Sequence, residues 1–470
     1  MNKLVSSLKE ALALAGLRDG MTVSFHHHLR NGDHVINMAV AAMQELGVHD
    51  ITLSASSLFQ VHTPILSAFD DETITGVESD YVGGDVGRAI SEGRLKKKAV
   101  FRSHGHRPAD IESGKMHIDI AVIAAPSSDA AGNCTGKYGE SACGSLGYAM
   151  PDARCADRVI VVTDNLVAYP LCDFSIPETQ VDYVVTVDSI GDPAGIVSST
   201  TRITRDPVGL KIADYAAQSI LHSGLLKDGF SFQTGAGGAS LAAAMYLKDI
   251  MLRQNIHGSF CMGGITGYLV DMLEAGCFEE LMDVQCFDLK AVESIRTNPR
   301  HKEVSASHYA APGKRGCIAD HLDAVILGAT EVDLDFNVNV HTNSQGVIMG
   351  GSGGHSDVAA GAKLAIIVAP LIRARLPLIV DRAGTISTPG KTIDLVVTQY
   401  GLAVNPASPR GAELRERLKE ARLPVTSLEA LKKKAEDLSG VPASVKRGER
   451  VVADVLYRDG TLLDQIYSIC

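Results

Sequence analysis

Tryptophan is absent from the 470 residues, and only 5% of the chain is aromatic. Binding of single strands by stacked rings needs aromatic platforms, so that mode is not expected. Positive charge is also short: 44 basic residues against 55 acidic ones leave a net charge of −11, whose field repels phosphate backbones. No nucleic-acid partner is expected. Apolar runs are brief. The longest clean one, 364–372, is half a bilayer crossing and is closed by Arg373, so no membrane span is expected either. Nine cysteines stand without any C-x-x-C pair, which suggests neither a zinc ribbon nor a thioredoxin-like site; no metal is expected. Scattered thiols with no export signal fit a reducing cytoplasm. At the N-terminus Leu4, Leu8, Leu12 and Ala15 recur at helical spacing, interrupted by Lys9, Glu10 and Arg18, and read as an amphipathic helix, not a signal peptide. Two hydrolase signatures are missing as well: no Gly-x-Ser-x-Gly sits in a strand–elbow–helix context, and there is no His-Glu-x-x-His.

The chain does have glycine, at 45 positions, punctuating short β-branched runs. Runs at 21–25, 50–54, 118–124, 158–163 and 181–187 are followed in the second half by 230–233, 324–327, 364–368, 377–380 and 393–398. Most are bounded by Gly, Asp or Pro and several are separated by helical patterns, so the expected class is α/β with buried, largely parallel strands. The halves repeat each other. Leu17-Arg18-Asp19-Gly20 returns as Leu226-Lys227-Asp228-Gly229, and His117-Ile118-Asp119 as His321-Leu322-Asp323. Asp129 and Asn133 fall on Asp333 and Asn337, and Asp182-Tyr183-Val184-Val185-Thr186 on Asp394-Leu395-Val396-Val397-Thr398. Four repeats in one order, at shifts of 204 to 212 residues, predict two related domains, 1–206 and 207–470, with a ligand cleft between them. The boundary follows the polar stretch 198–201. Residues 408–470 read as a helical and hairpin extension covering the second domain, with Asp459-Gly460 as the hairpin turn and no catalytic role.

Certain loops could carry chemistry. Gly235-Ala236-Gly237-Gly238-Ala239-Ser240 lies between a short strand and a helix, where backbone N–H groups can meet a phosphate or pantetheine, although packing also produces such turns. It lacks both the dinucleotide fingerprint and the Walker lysine. Gly350-Gly351-Ser352-Gly353-Gly354-His355 is denser still and reads as backbone facing a ligand, as does Gly263-Gly264 more weakly. His26, His27 and Arg30 leave the first strand, and His104 sits in a second positive loop. They suit an anionic substrate, or a polar loop with one satisfied histidine. Asp333, Asp335, Asn337 and Asn339 alternate on an extended stretch and would orient a carbonyl or pin a turn.

These pieces in this order resemble the citrate lyase α-subunit family, within the CoA-transferase superfamily. The resemblance rests on Ser24-Phe25-His26-His27 with Arg30, on Cys143-Gly144-Ser145-Leu146-Gly147-Tyr148-Ala149 and on Gln233-Thr234-Gly235. Asp283-Val284-Gln285-x-Phe287-Asp288, Phe336-Asn337-Val338-Asn339-Val340 and Ser352-Gly353-Gly354-His355-x-Asp357 extend it across nearly the whole chain. It implies two CoA-transferase-like α/β domains and a citrate:acyl-carrier transferase that releases acetate. The thioester would ride on a CoA-like prosthetic group (phosphoribosyl-dephospho-CoA) of an acyl carrier (γ) subunit, with acetyl-CoA as a surrogate. A β subunit would then cleave the citryl thioester, within an oligomeric complex.

Many CoA-transferases use a glutamate nucleophile early in the second half, and alignment back from Gly276 puts Gly263 or Gly264 there. A ternary complex with a mixed anhydride is therefore expected. The assignment places Gly263, Gly264, Asn337 and Asn339 at the reacting thioester and His26, His27, Arg30 and His104 on citrate. Gly235, Gly237, Gly238, Ser240, Gly351, Gly353, Gly354 and His355 fall along the pantetheine. Alternatives are a transferase or hydrolase acting on free CoA, or a non-catalytic acyl-CoA-binding subunit.

Overall fold

The computed structural model describes residues 3–197, 202–313, 315–443 and 445–470; the polar stretch 198–201 that precedes the expected boundary lies outside them. Two large sheets dominate. The first is ordered Leu4–Val5, Tyr183–Thr186, Arg158–Thr163, Ile120–Ala124, Thr22–Phe25, Ile51–Ala55, Ile74–Ser79, Ala99–Phe101. The second begins with Val425–Thr426 and Gly401–Val404. It continues Leu395–Thr398, Ala365–Val368, Ala324–Leu327, Phe232–Thr234, Gly258–Ile265, Phe278–Cys286, His301–Glu303. From Tyr183–Thr186 onward the first order is the second order again, strand for strand from Leu395–Thr398. These strands pair in parallel, and Ile120–Ala124 and Ala365–Val368 are buried at every position, as parallel strands covered on both faces must be.

The repetition extends to single hydrogen bonds. Asp119 accepts from the N–H of Thr22 at 2.7 Å, and Asp323 from that of Ser231 at 3.0 Å. Asp19 accepts from His49 and Asp228 from His257. Asp182 caps Val159 and Asp394 caps Ala365. The repeated aspartates are thus carboxylates that close the first link between neighbouring strands, where a loop N–H would otherwise be left without a partner.

Several strands lie outside the expected set, Ile74–Ser79, Ala99–Phe101, Gly258–Ile265 and Phe278–Cys286 among them. Glycines or charged residues mask the β pattern in Ile74–Ser79, Gly258–Ile265 and Phe278–Cys286, Ala99–Phe101 is only three residues long, and Gly263-Gly264 sits inside a strand at a bulge. Leu4 belongs to an edge strand, with the first helix confined to Leu8–Leu14.

The C-terminal extension corrects the expectation more substantially. Helices Gly411–Glu420 and Leu428–Ser439 pack on the second sheet's side. The hairpin Arg447–Leu456 and Leu462–Ile469 instead crosses back and pairs with Ala99–Phe101, extending the first sheet. Sequence order placed it with the second half; the free edge of the first sheet claims it.

Candidate active site

The cleft between the two sheets has a cavity of about 410 Å³. One wall comes from the first half: Tyr81, His104 and Tyr148. The other is built from Gln233, the Gly235 and Gly237 turn, Gly264, Phe287, Tyr309 and the Gly350–Gly354 turn with His355. The halves are bolted together here. The Gly353 carbonyl accepts from the N–H of His104 at 2.8 Å, and the Gly353 N–H donates to the Asp80 carbonyl at 3.1 Å. A Cβ on Gly351 would stand 2.1 Å from the Asp80 carbonyl oxygen, so only glycine permits this approach. The segment Cys143 to Ala149 is the second bolt: Ser145 Oγ donates to the Asp283 carbonyl at 2.9 Å, and Ala306 N–H to the Gly147 carbonyl at 2.8 Å.

Cations and rings line the first-half wall. Arg30, nine-tenths buried and at φ 53°, lays its guanidinium 4.5 Å over the Phe287 ring and 5.5 Å from that of Phe59. Burial lowers its pKa to about 10, so it stays cationic at neutral pH. His27 stacks on His104 with centroids 5.6 Å apart and tilts against Tyr148. His104 Nδ1 is 2.7 Å from Asp80 Oδ2, which presents its Nε2 towards Gly353. Asp80 is buried; burial raises its pKa and the His104 contact opposes this.

The sequence-derived assignments separate into three groups. His104, Gly235, Gly237, Gly264, Gly351, Gly353, Gly354 and His355 line the cavity, with His27 and Arg30 packed immediately behind. His355 bonds Thr388 Oγ1 and the Gly328 carbonyl, and burial depresses its pKa to about 4, so it braces the turn as a neutral ring. Gly238, Ser240 and Gly263 sit one layer back: Ser240 is buried, a Cβ on Gly238 would approach the Arg202 carbonyl, and one on Gly263 would meet the Gln233 amide.

Three assigned residues are not brought to the cavity. His26 does not line the cavity: its Nε2 accepts from the Ala124 N–H at 3.0 Å, at the end of a neighbouring strand, and burial lowers its pKa to about 4. Asn337 and Asn339 do not share an extended face, because Phe336 at φ 65° folds 331–339 into a tight hairpin. Asn337 bonds Asp333 and Gly390, while Asn339 bonds Glu331, Thr342 and the His341 N–H, so both carboxamides are consumed. The turn-pinning role prevails. The equivalent turn of the first half is closed the same way, with Asp129 bonding Asn133.

Sequence reasoning gave no role to Tyr81, Asp80, Tyr309 or Phe287. Phe287 lies inside a quoted motif, and its two flanking neighbours gave the only signal; the others have none. A Cβ on Gly264 would lie 2.3 Å from the Phe287 ring, so the ring fills the space a side chain at 264 would need. As for metals, two groups cluster ligand atoms within 4.8 Å among the described residues: exposed His117, Asp119 and Asp157, and buried Asp283, Cys286 and His301. In the buried group Asp283 Oδ2 is 3.0 Å from His301 Nε2 and 2.9 Å from Cys286 Sγ, a self-contained hydrogen-bond network under the second bolt.

Residues 1–469 match the family model for the citrate lyase alpha subunit (CitF). The citrate lyase alpha chain of Klebsiella pneumoniae is 45% identical over 467 residues, 99% of this chain and 91% of that one. A 4-hydroxybutyrate coenzyme A transferase of Clostridium kluyveri is 22% identical over 396 residues, 80% and 82% of the two chains. Among solved structures, a Streptococcus mutans alpha subunit of citrate lyase in complex with citrate superposes with a TM-score of 0.97 at 45% identity, covering 100% of this chain and 92% of that one. The malonate decarboxylase alpha subunit of Acinetobacter baumannii shares the fold at a TM-score of 0.69 and 16% identity, over 94% and 93%. Paired parallel sheets bolted around a cleft of glycine turns and aromatic-backed cations are therefore the CoA-transferase-like architecture of an enzyme subunit, and the chain belongs to the citrate lyase alpha-subunit family.

Proposed function

We propose that this subunit exchanges acetate for citrate on the thiol of an acyl carrier. The thioester arrives on a CoA-like prosthetic group, phosphoribosyl-dephospho-CoA, borne by the carrier subunit. The partners are that carrier and a β subunit that cleaves the citryl thioester, in an oligomeric cytoplasmic complex. Citrate sits against Arg30, His27 and His104, and the pantetheine arm follows the Gly235–Gly237 and Gly351–Gly354 turns. A citrate carboxylate oxygen attacks the acetyl thioester carbonyl; the C–O bond forms, the C–S bond breaks, and a mixed anhydride and carrier thiolate result. The thiolate then attacks the citryl carbonyl, the C–S bond forms, and acetate leaves. No net proton is moved. Catalysis comes from juxtaposition, worth up to ~7–11 kcal/mol, and from backbone N–H donors at ~3–4 kcal/mol each. The bulge at Gly263 and Gly264 supports the latter role, because a bulge leaves backbone groups outside the ladder.

The observation that carries the ternary-complex route is the Phe287 ring, 2.3 Å from a Cβ on Gly264, which leaves no room for a glutamate nucleophile. Glu274, the nearby acid in sequence, is more than half exposed and lies 3.5 Å from Lys290. Purified chain given acetyl-CoA and citrate should form citryl-CoA by mass spectrometry, with citrate preferred to acetate as acceptor. Borohydride trapping after incubation with the acetyl thioester should reduce no glutamate. A reduced glutamate peptide would overturn the route, and exchange of isotopically labelled acetate into acetyl-CoA at least as fast as citryl-CoA formation would favour a general CoA-transferase.

A further inference from the structure

The cleft continues past Met349. This side chain is 45% exposed and forms a wall common to the cleft and a second cavity of about 150 Å³. Most of the second cavity is apolar, with Ala329, Ala369, Pro370 and Leu378 around it, and one cation, Arg373, on its rim. That rim is a two-stranded hairpin, Ile372–Arg373 with Leu376–Pro377. At its tip Ala374 and Arg375 both hold positive φ, 48° and 67°. A turn of this hand favours Asn-Gly, and side-chain-bearing residues are held there against their preference. Arg375 is exposed beside Arg373, and among the described residues neither has an ion-pair partner. A third cavity, of about 240 Å³, shares Ser344, Leu376 and Pro377 with the second and adds Glu331, Arg382 and Arg447, the last bonded to the Gly384 carbonyl. A mostly apolar path thus leads from the glycine turns to two guanidinium groups, Arg373 and Arg375, that have no ion-pair partner among the described residues, in a chain of net charge −11.

We infer that this channel binds the phosphate-bearing end of the thioester donor: the arm crosses Met349, and the diphosphate of its CoA-type nucleotide end lies on Arg373 and Arg375. This rests on the proposed placement of the thioester arm in the cleft. Continuity with that cleft and charge favour this occupant: an arm that is apolar near its sulfur and dianionic further out matches mostly apolar walls followed by two guanidinium groups, which bind phosphate well.

The test compares two donors on the full-length chain, acetyl-CoA and acetyl-pantetheine, the second lacking every phosphate. In the double variant Arg373→Ala, Arg375→Ala, the ratio of kcat/KM for acetyl-CoA to that for acetyl-pantetheine should fall on the order of tenfold. Added salt should erode the same ratio in the unaltered chain. Both positions are exposed, and the melting temperature checks that the fold is intact. Arg373→Lys with Arg375→Lys should recover part of the ratio. An equal loss on both donors, as from a docked protein segment, would overturn the inference, as would a change confined to the citrate KM. Calorimetric titration with CoA and with pantetheine reads the channel without turnover: CoA affinity should drop in the double variant and pantetheine affinity should not. Failure of the transfer reaction is thereby separated from failure of the channel.

Discussion

Arg30 is held by rings on two sides and by a backbone conformation that residues with a side chain seldom adopt. A buried guanidinium at the back of the cleft is complementary in charge to a tricarboxylate. Arg30→Ala should therefore raise the citrate KM far more than the acetyl-thioester KM, as read from initial rates with each substrate varied; equal effects would take Arg30 out of the citrate pocket. Gly264→Ala tests the neighbouring contact. With the Phe287 ring 2.3 Å from the added methyl, the ring must shift and carry the guanidinium with it. We expect a loss of roughly 1–3 kcal/mol in stability by denaturant titration and a larger fractional loss of kcat. At this scale the sequence showed which residue types gather near the site. It could not show direction: His26 and His27 are adjacent, yet one ring faces a strand end and the other stacks on His104.

The elements repeat more faithfully than the residues around the site. Asp119 and Asp323, or Asp19 and Asp228, occupy equivalent loops because the same orphan N–H must be satisfied in each copy. The repeat was legible since these carboxylates and their flanking turns are local in sequence. The docking of the C-terminal hairpin was not, since strand pairing at a sheet edge leaves no mark on either strand alone. A chain ending before Arg447 should uncover Ala99–Phe101 and lose the Arg450 bonds to the Gly93 and Leu95 carbonyls. Its expected behaviour is a lower melting temperature and concentration-dependent association in sedimentation, as an unpaired edge invites.

The short helix His355–Gly361 brings a second device. Asp357, buried, accepts from Ser103 Oγ at 2.7 Å and from the Gly105 N–H at 2.9 Å, with Arg458 of the hairpin at 3.8 Å. Desolvation raises its pKa from 3.8 to about 6, against the pull of Arg458. A carboxyl raised on folding stabilises the fold below its unfolded value, and that stabilisation is lost as pH rises through about 6. Asp357→Asn should abolish this component: the stability difference between variant and unaltered chain should change between pH 3.8 and about 6 and be flat above it, by chemical denaturation.

Across the whole molecule the buried histidines set the opposite trend. Burial depresses His26 and His355 from 6.5 to about 4 and His341 to about 3, and drives His27 and His28 well down. Unfolding lets each take up a proton. Stability present above 6.5 is thus lost as pH falls towards 4, at roughly 1.4 kcal/mol per pH unit for each ring. Melting temperatures should decline steeply over that interval, and His341→Gln should flatten the decline relative to the unaltered chain. No helix among the described residues is long and apolar enough to cross a membrane, and all nine cysteines are free.

The amino-acid pattern by itself fixed the α/β alternation, the doubling of the chain and the glycine turns, because periodicity, β-branching and turn chemistry act over a few residues. Which turns face the cleft, that Asn337 and Asn339 brace a hairpin, and that an aromatic ring occupies the space beside Gly264 were decided by tertiary contact. Those outcomes depend on distances between residues far apart in the chain, and only the packing of one sheet against the other sets them.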